Sequence, residues 1–269
     1  MEIGINTYPY LWKCDVNEAF KQINKLGIRN VEILTSPPQF DFRSIDSAKR
    51  EEILKNSKAY NINLVALNLP GQDINLASPF NEMREFTVDQ YKYLIDISAE
   101  WGVPYVVMPP GRLHPLLPPQ FEWAWGKAKP HIVELVEYAE QKNVCMLIEN
   151  IPNMFFQRAE EIQTALNEIK SNHFKAIYDV SNAYMVEDPA EGIRRLGNEI
   201  KIIHLSDTTK KRWQHNVIGE GDVDFSSIFQ ALQEIKYDRY CILEIIHPEA
   251  EEGITTSINK LKEEHKWVF

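Results

Sequence analysis

A (β/α)₈ barrel is the fold class the sequence predicts, and three observations predict it. Short apolar, β-branched runs alternate with longer amphipathic segments eight times along the chain. The runs are apolar on both faces, as strands of a parallel sheet covered by helices must be. The 269 residues are close to the ~250 typical of such a barrel. An open doubly wound sheet, with about five or six strands, fits eight alternations less well. No linker-like stretch divides the chain, so one barrel domain over 1–269 is expected.

The strand-like runs are EIGINTY (2–8), NVEILT (30–35), INLVALNLP (62–70), PYVVMPP (104–110), CMLIEN (145–150), FKAIYDV (174–180), KIIHLSD (201–207) and YCILEII (240–246). Apolar residues at helical spacing lie between them. In VNEAFKQINKLG (16–27) Val16, Ala19, Phe20, Ile23 and Leu26 form one stripe and Gly27 closes the helix. Further helices are expected at 46–60, 82–101, 121–143, 159–171, 189–197, 224–236 and 251–265. No strand–helix turn carries GxGxxG or GxxxxGK[ST]. GEG at 219–221 runs into Asp222 and Asp224 and makes a poor phosphate cradle.

Composition narrows the partners. A net charge of −10 opposes polyanions, and KKR at 210–212 is the only compact basic cluster, so no nucleic-acid partner is expected. No apolar run nears the ~20 residues that span a bilayer, and the N-terminus lacks the pattern of a signal peptide. The expectation is a cytoplasmic protein with no membrane partner. Cys14, Cys145 and Cys241 are far apart and form no CxxC pair, which excludes a disulfide framework or thiolate zinc knuckle; the last two read as small buried residues at strand starts.

In such a barrel the chemistry gathers where strands end and βα loops begin. Four consecutive runs each carry an ionisable group there: Glu149 on the fifth, Asp179 on the sixth, His204 on the seventh and Glu244 on the eighth. A charge inside an apolar run is costly to bury unless it is paired or bound to metal. Singly, each has a plainer reading: a rim salt bridge for Glu244, a satisfied core histidine for His204, an N-cap for Asp179. Together, on successive strands, they converge on one half of the mouth. Three carboxylates and an imidazole suit one divalent ion, Mn²⁺, Mg²⁺, Co²⁺ or Zn²⁺.

With LIEN at the fifth strand, YDVSN at the sixth, IHLSD at the seventh, HNVIGEGDVDF after it and LEI at the eighth, the chain resembles the xylose isomerase-like TIM barrel superfamily, in its sugar phosphate isomerase/epimerase group. The resemblance runs from INTYPY to the last strand. Its members include ketose 3-epimerases, hydroxypyruvate isomerases, inosose dehydratases, 3-dehydroshikimate dehydratases and zinc-dependent apurinic endonucleases. It implies that Glu149, Asp179, His204 and Glu244 ligate one metal and that Glu149 and Glu244 are catalytic. It implies a small carbohydrate substrate and, as is common among relatives, a homo-oligomer. Three positions depart from the pattern. Asn182 stands where the group usually has a substrate-reaching His, and Phe155 where ketohexose epimerases tend to have Glu. Trp213 replaces the Asp of the endonucleases' DxH pair, which ends in His215. With Asn68 and Pro109 on the third and fourth runs, this leaves no multi-zinc nuclease site.

The implied reaction is proton transfer beside a carbonyl through an enediolate, one Glu removing the proton and the other returning it. Return to the same carbon epimerises, and return to its neighbour isomerises an aldose and a ketose. Loss of a β-hydroxyl would instead make the protein a dehydratase, and a sugar-binding barrel without turnover is the non-catalytic alternative. Substrate contacts are expected from Asn182, His215, Lys210, Arg212, His114 and Glu32. For Glu32 a rim salt bridge is the plainer reading, for His114 a solvated loop, and for Lys210 and Arg212 a solvated charge run. Trp12, Trp123, Trp125 and Phe155 either wall the pocket or pack helices on the barrel.

Overall fold

The computed structural model describes residues 1–71 and 73–267. Eight parallel strands close a barrel: β1 (Glu2–Asn6), β2 (Asn30–Leu34), β3 (Asn63–Asn68), β4 (Tyr105–Met108), β5 (Cys145–Glu149), β6 (Phe174–Asp179), β7 (Ile200–Leu205) and β10 (Tyr240–Leu243). Each neighbours the next in sequence, and β10 pairs with β1 to shut the ring. The helices around it are α1 (Val16–Lys25), α2 (Ser47–Ala59), α3 (Asn81–Trp101), α4 (Phe121–Gln141), α5 (Ala159–Ile169), α6 (Val180–Val186), α7 (Pro189–Leu196), α8 (Phe225–Glu234) and α9 (Ala250–Glu263).

The barrel is the one the sequence predicts, with two additions. The sixth connection holds the expected helix, α7, opened by Pro189 at N1 and capped by Asp188 through the Ala190 N–H, and before it the additional α6, which Asp179 caps. After β7 the chain forms an antiparallel hairpin, β8 (Asp207–Thr209) with β9 (Arg212–Asn216), where a plain loop was expected. All three cysteines are free; Cys241 is buried and Cys145 partly so. Among the described residues no helix is long and apolar enough to cross a membrane.

Val65, Ala66, Val107, Leu147, Ile177, Ile202 and Ile242 form a buried cluster of their own, drawn from six strands. They plug the barrel interior. Side chains on a strand alternate faces, so the residue two further on points the same way. Two beyond Leu147, Ile177, Ile202 and Ile242 stand Glu149, Asp179, His204 and Glu244. The polar layer is therefore the next storey of the same interior, laid on an apolar floor. In the ladders Asp179 lies opposite His204, which lies opposite Ile242. Register shifts at Val31/Glu32 and Ala176/Ile177 fall just at or before two residues of this storey, where bulges re-aim side chains.

Gly4 on β1 makes room for the floor. A Cβ there would lie 2.4 Å from Ile242 Cδ1 and 2.8 Å from the Asn30 carbonyl oxygen, which the barrel holds in place. Gly4→Ala is expected to cost about 1–3 kcal/mol, as overpacking does, and to lower Tm by several degrees. Gly126→Ala, inside α4 with nothing within 4 Å, is the matched control. It should leave Tm unchanged or raise it, since Ala is favoured over Gly in a helix.

Candidate metal centre and active site

Glu149, Asp179, His204 and Glu244 are all buried, and each offers a ligand atom within 4.8 Å of the others. Asp179 serves two purposes. It N-caps α6, its Oδ1 accepting the Asn182 N–H at 2.6 Å, while Oδ2 is buried and has no hydrogen-bond partner. The cap reading thus holds for one oxygen, and the other is left available to a ligand role. Asn150 locks the strand end beneath it, accepting from the Asp179 N–H at 2.8 Å and donating to the Asp179 carbonyl at 2.9 Å.

His204 is fixed from behind. Its Nε2 lies 3.0 and 3.1 Å from the two oxygens of Glu32. A carboxylate only accepts, so Nε2 carries the proton. Nδ1 then faces the cluster, 3.4 Å from Glu149 Oε1 and from Glu244 Oε2 and 3.8 Å from Asp179 Oδ2, yet makes a hydrogen bond to none of them. Glu32 is held in turn by Asn6 Nδ2 at 2.7 Å and Asn68 Nδ2 at 2.8 Å, and Asn6 also donates to Glu244 at 3.1 Å. A carboxylate that orients a histidine whose other nitrogen is left unpartnered is the usual outer support of a metal-ligating imidazole.

The electrostatics are those of a buried cluster with more carboxylates than cations. Burial pushes the Glu149 carboxyl up to about 7 against the pull of His204, and it raises Asp179 as well. Burial also opposes the charged form of Glu244, but the His204 and His215 imidazoles outweigh it and hold that carboxyl below its ordinary range. For His204, burial favours the neutral ring, and the Glu32 and Glu244 carboxylates overcome it, so its pKa stands well above normal. Four buried carboxylates, counting Glu32, share one fully buried imidazole. Two ligand-type atoms, Asp179 Oδ2 and His204 Nδ1, are buried without a partner. This donor set fits a divalent cation.

The cluster floors a cavity of about 380 Å³ open at the C-terminal end of the barrel. Glu149, Glu244, Asn68, Arg112, Asn182, Gln214 and His215 supply its polar lining; Tyr8, Leu34, Met154, Trp213 and Ile246 are among its apolar and aromatic walls. His215, on β9, comes closer to the ligand set than the sequence implied, with Nδ1 3.3 Å from Glu244 Oε2 and 3.1 Å from Ser206 Oγ. Asn182 Oδ1 accepts from Trp213 Nε1 at 2.7 Å, so the two departures from the group pattern at 182 and 213 are partners. The β8–β9 hairpin that carries Trp213 and His215 is anchored by Asp207. Its carboxylate accepts from the N–H groups of Thr208, Gly219, Gly221 and Val223. A Cβ at Gly221 would sit 2.3 Å from Asp207 Oδ1, which is why the GEG segment has glycine there.

Other expected contacts fall outside the cavity lining. Lys210 donates to the Tyr184 carbonyl with its Nζ over the Tyr184 ring. Arg212 is exposed at the start of β9. His114 is exposed in the loop after β4, where Nδ1 accepts from Leu116 and Leu117 N–H. Glu32 is buried behind His204 and lines no part of the cavity. Trp12 and Trp123 are exposed, and Trp125 and Phe155 pack with Phe156 under α4. The sequence reading passed over Asn6, Tyr8 and Arg112. Asn6 had a signal, a polar residue at the end of an apolar run; Tyr8 and Arg112 lie in loops whose path no periodicity reveals.

Residues 20–267 match the model of the xylose isomerase-like TIM barrel family. The chain belongs to this family. Fructoselysine 3-epimerase from Escherichia coli O157:H7 is 21% identical over 237 residues, covering 86% of each chain. Among solved structures, a D-tagatose 3-epimerase-like protein superposes with a TM-score of 0.85 at 22% identity, over 98% of this chain and 96% of that one. The IOLI protein with a bound zinc atom does so with a TM-score of 0.86 at 19% identity, over 100% and 99%. The family's curated and solved members so matched include sugar epimerases, and the structural likeness establishes the shared barrel.

Proposed function

We propose that the protein is a divalent-metal-dependent isomerase or epimerase acting on a small sugar or keto-polyol through an enediolate. The observation that carries this reading is the pair of buried, unpartnered ligand atoms, Asp179 Oδ2 and His204 Nδ1, set between two glutamates on an open cavity. Glu149, Asp179, His204 and Glu244 would hold the ion. When bound, it supplies a Lewis acid for the carbonyl and charge compensation for the enediolate. Glu149 and Glu244 move the protons: one takes the hydrogen from the carbon beside the carbonyl, and the other delivers it from the opposite side. Asn182 and His215 face the cavity as hydrogen-bonding groups for substrate hydroxyls. The epimerase relatives support this reaction class over simple binding. A lyase on the same scaffold would use the same base and differ only in its leaving group.

The first test is metal content. About one equivalent of Mn, Mg, Co or Zn per chain is expected by elemental analysis, lost on Asp179→Asn or His204→Ala. The same chain stripped by chelator should melt lower and recover on adding Mn²⁺ or Zn²⁺. Uptake should weaken as pH falls below about 7. Glu149, with its carboxyl at about 7, and His204 both hold protons that the ion must displace. A protein that takes up no metal from excess Mn²⁺ or Zn²⁺ would leave the four residues structural and end this reading. The reaction itself is tested by deuterium uptake from D₂O into D-fructose, D-tagatose or D-psicose, and a dehydratase would show instead an ultraviolet-absorbing conjugated enone.

A further inference from the structure

The two cations expected at the substrate, Lys210 and Arg212, lie outside the cavity, yet the cavity has a cation of its own. Arg112, in the loop after β4, is the only lysine or arginine among the described residues that line it. Its main chain is clamped. The N–H donates to Asn75 Oδ1 at 3.0 Å, the carbonyl accepts from Asn75 Nδ2 at 2.8 Å, and the residue forms an antiparallel bridge with Met154. Gly111 permits this close approach, since a Cβ there would lie 2.5 Å from Asn75 Oδ1, and its φ is +93°. The side chain is tied once, Nε donating to the Gly71 carbonyl at 3.2 Å. Among the described residues the two terminal nitrogens have neither a carboxylate nor a carbonyl partner. A guanidinium held by its stem with its fork free is preorganised for a two-oxygen anion. The remaining charged walls of the cavity are Glu149 and Glu244, which would repel an anion from the metal end and leave Arg112 as its place.

We infer that Arg112 receives an anionic substituent, so that the substrate is a keto-sugar or keto-polyol bearing a phosphate monoester or a carboxylate remote from the carbon whose proton moves. This rests on the sugar reading above and narrows it. The test is calorimetric binding to the Mn²⁺-loaded protein of three probes: D-fructose, D-fructose 6-phosphate and D-fructuronate. At least one anionic probe should bind about tenfold or more tighter than D-fructose, and which one does so tells phosphate from carboxylate. Arg112→Gln should shrink that ratio to within about twofold, and Arg112→Lys should keep part of it, because the charge remains but the fork does not. In the wild type the preference should fall as salt rises to about 0.5 M, which decides the matter even if Arg112→Gln does not fold. Equal binding of neutral and anionic probes, a preference that survives in Arg112→Gln, or one indifferent to salt would overturn the inference and leave the sugar reading intact. Failure of all three probes to bind the metal-loaded protein would overturn both.

Discussion

Glu149→Gln and Glu244→Gln, each measured at saturating metal, are expected to lower epimerisation by roughly 10²–10⁴-fold, the usual weight of a positioned acid–base group. Glutamine keeps the volume and one oxygen of the side chain but cannot carry the proton. Because both residues also belong to the proposed ligand set, the rate must be compared at equal metal occupancy, checked by elemental analysis on the same samples. A fall in rate that tracks metal loss alone would assign them a binding role and no more.

The two variants should also differ from each other. If one glutamate serves each face, a variant that keeps only Glu244 can still remove the proton that Glu244 addresses. It should wash deuterium into one epimer without converting it, and the variant that keeps only Glu149 should do so with the other epimer. Loss of exchange with both epimers in one variant, with exchange kept in the other, would argue for a single base and a different reaction. Without metal the two environments already differ: burial pushes Glu149 up to about 7, whereas His204 and His215 hold Glu244 low.

The barrel was legible because its rules are local. Runs such as CMLIEN and YCILEII are apolar on both faces, the helical stripe of 16–27 is clear, and eight repeats of that alternation leave few topologies. The buried cluster of Glu149, Asp179, His204 and Glu244 was legible for the same reason, since an ionisable group within an apolar run is conspicuous. What escaped was whatever depends on loop geometry. The hairpin of β8 and β9 brings His215 to 3.3 Å from Glu244, and it exists because Asp207 gathers four backbone N–H groups from the following segment, contacts that have no period. Lys210, Arg212 and His114 were assigned by position relative to strand ends, and the loops carry them elsewhere. Arg112 went unnoticed because a lone arginine after MPPG has no pattern to set it apart, and only the Asn75 clamp distinguishes it. Glu32 was singled out for the right reason, a charge at the end of a strand, but its partner is the histidine and not the cavity.

That placement makes Glu32→Gln the sharpest test of the metal centre, with an expected loss of about 10–100-fold in affinity, as for other outer supports of ligating histidines. Glu32 accepts from three groups, Asn6, Asn68 and His204. A glutamine can keep its oxygen toward the two asparagines, whose bonds both go to Oε1. Its amide N–H₂ then takes the Oε2 position, 3.1 Å from His204 Nε2, and leaves the imidazole only Oε1 at 3.0 Å, an oxygen it shares with both asparagines. The negative charge and one of the two acceptors that favour the Nε2–H form are gone, and a ring that carries its proton on Nδ1 turns it toward Glu149 and Glu244. The lone pair offered to a metal is then less available although none of the four cluster residues has been altered. Folding should survive, since the side chain keeps its volume and two of its three partners. The measurement is the Kd for Mn²⁺ or Zn²⁺ by competition with a chelating dye, alongside a thermal melt of the metal-free protein. A normal melt with weakened metal binding is the signature of a lost tautomer. Unchanged affinity would mean that the Glu32 carboxylate is not what holds His204 ready as a ligand.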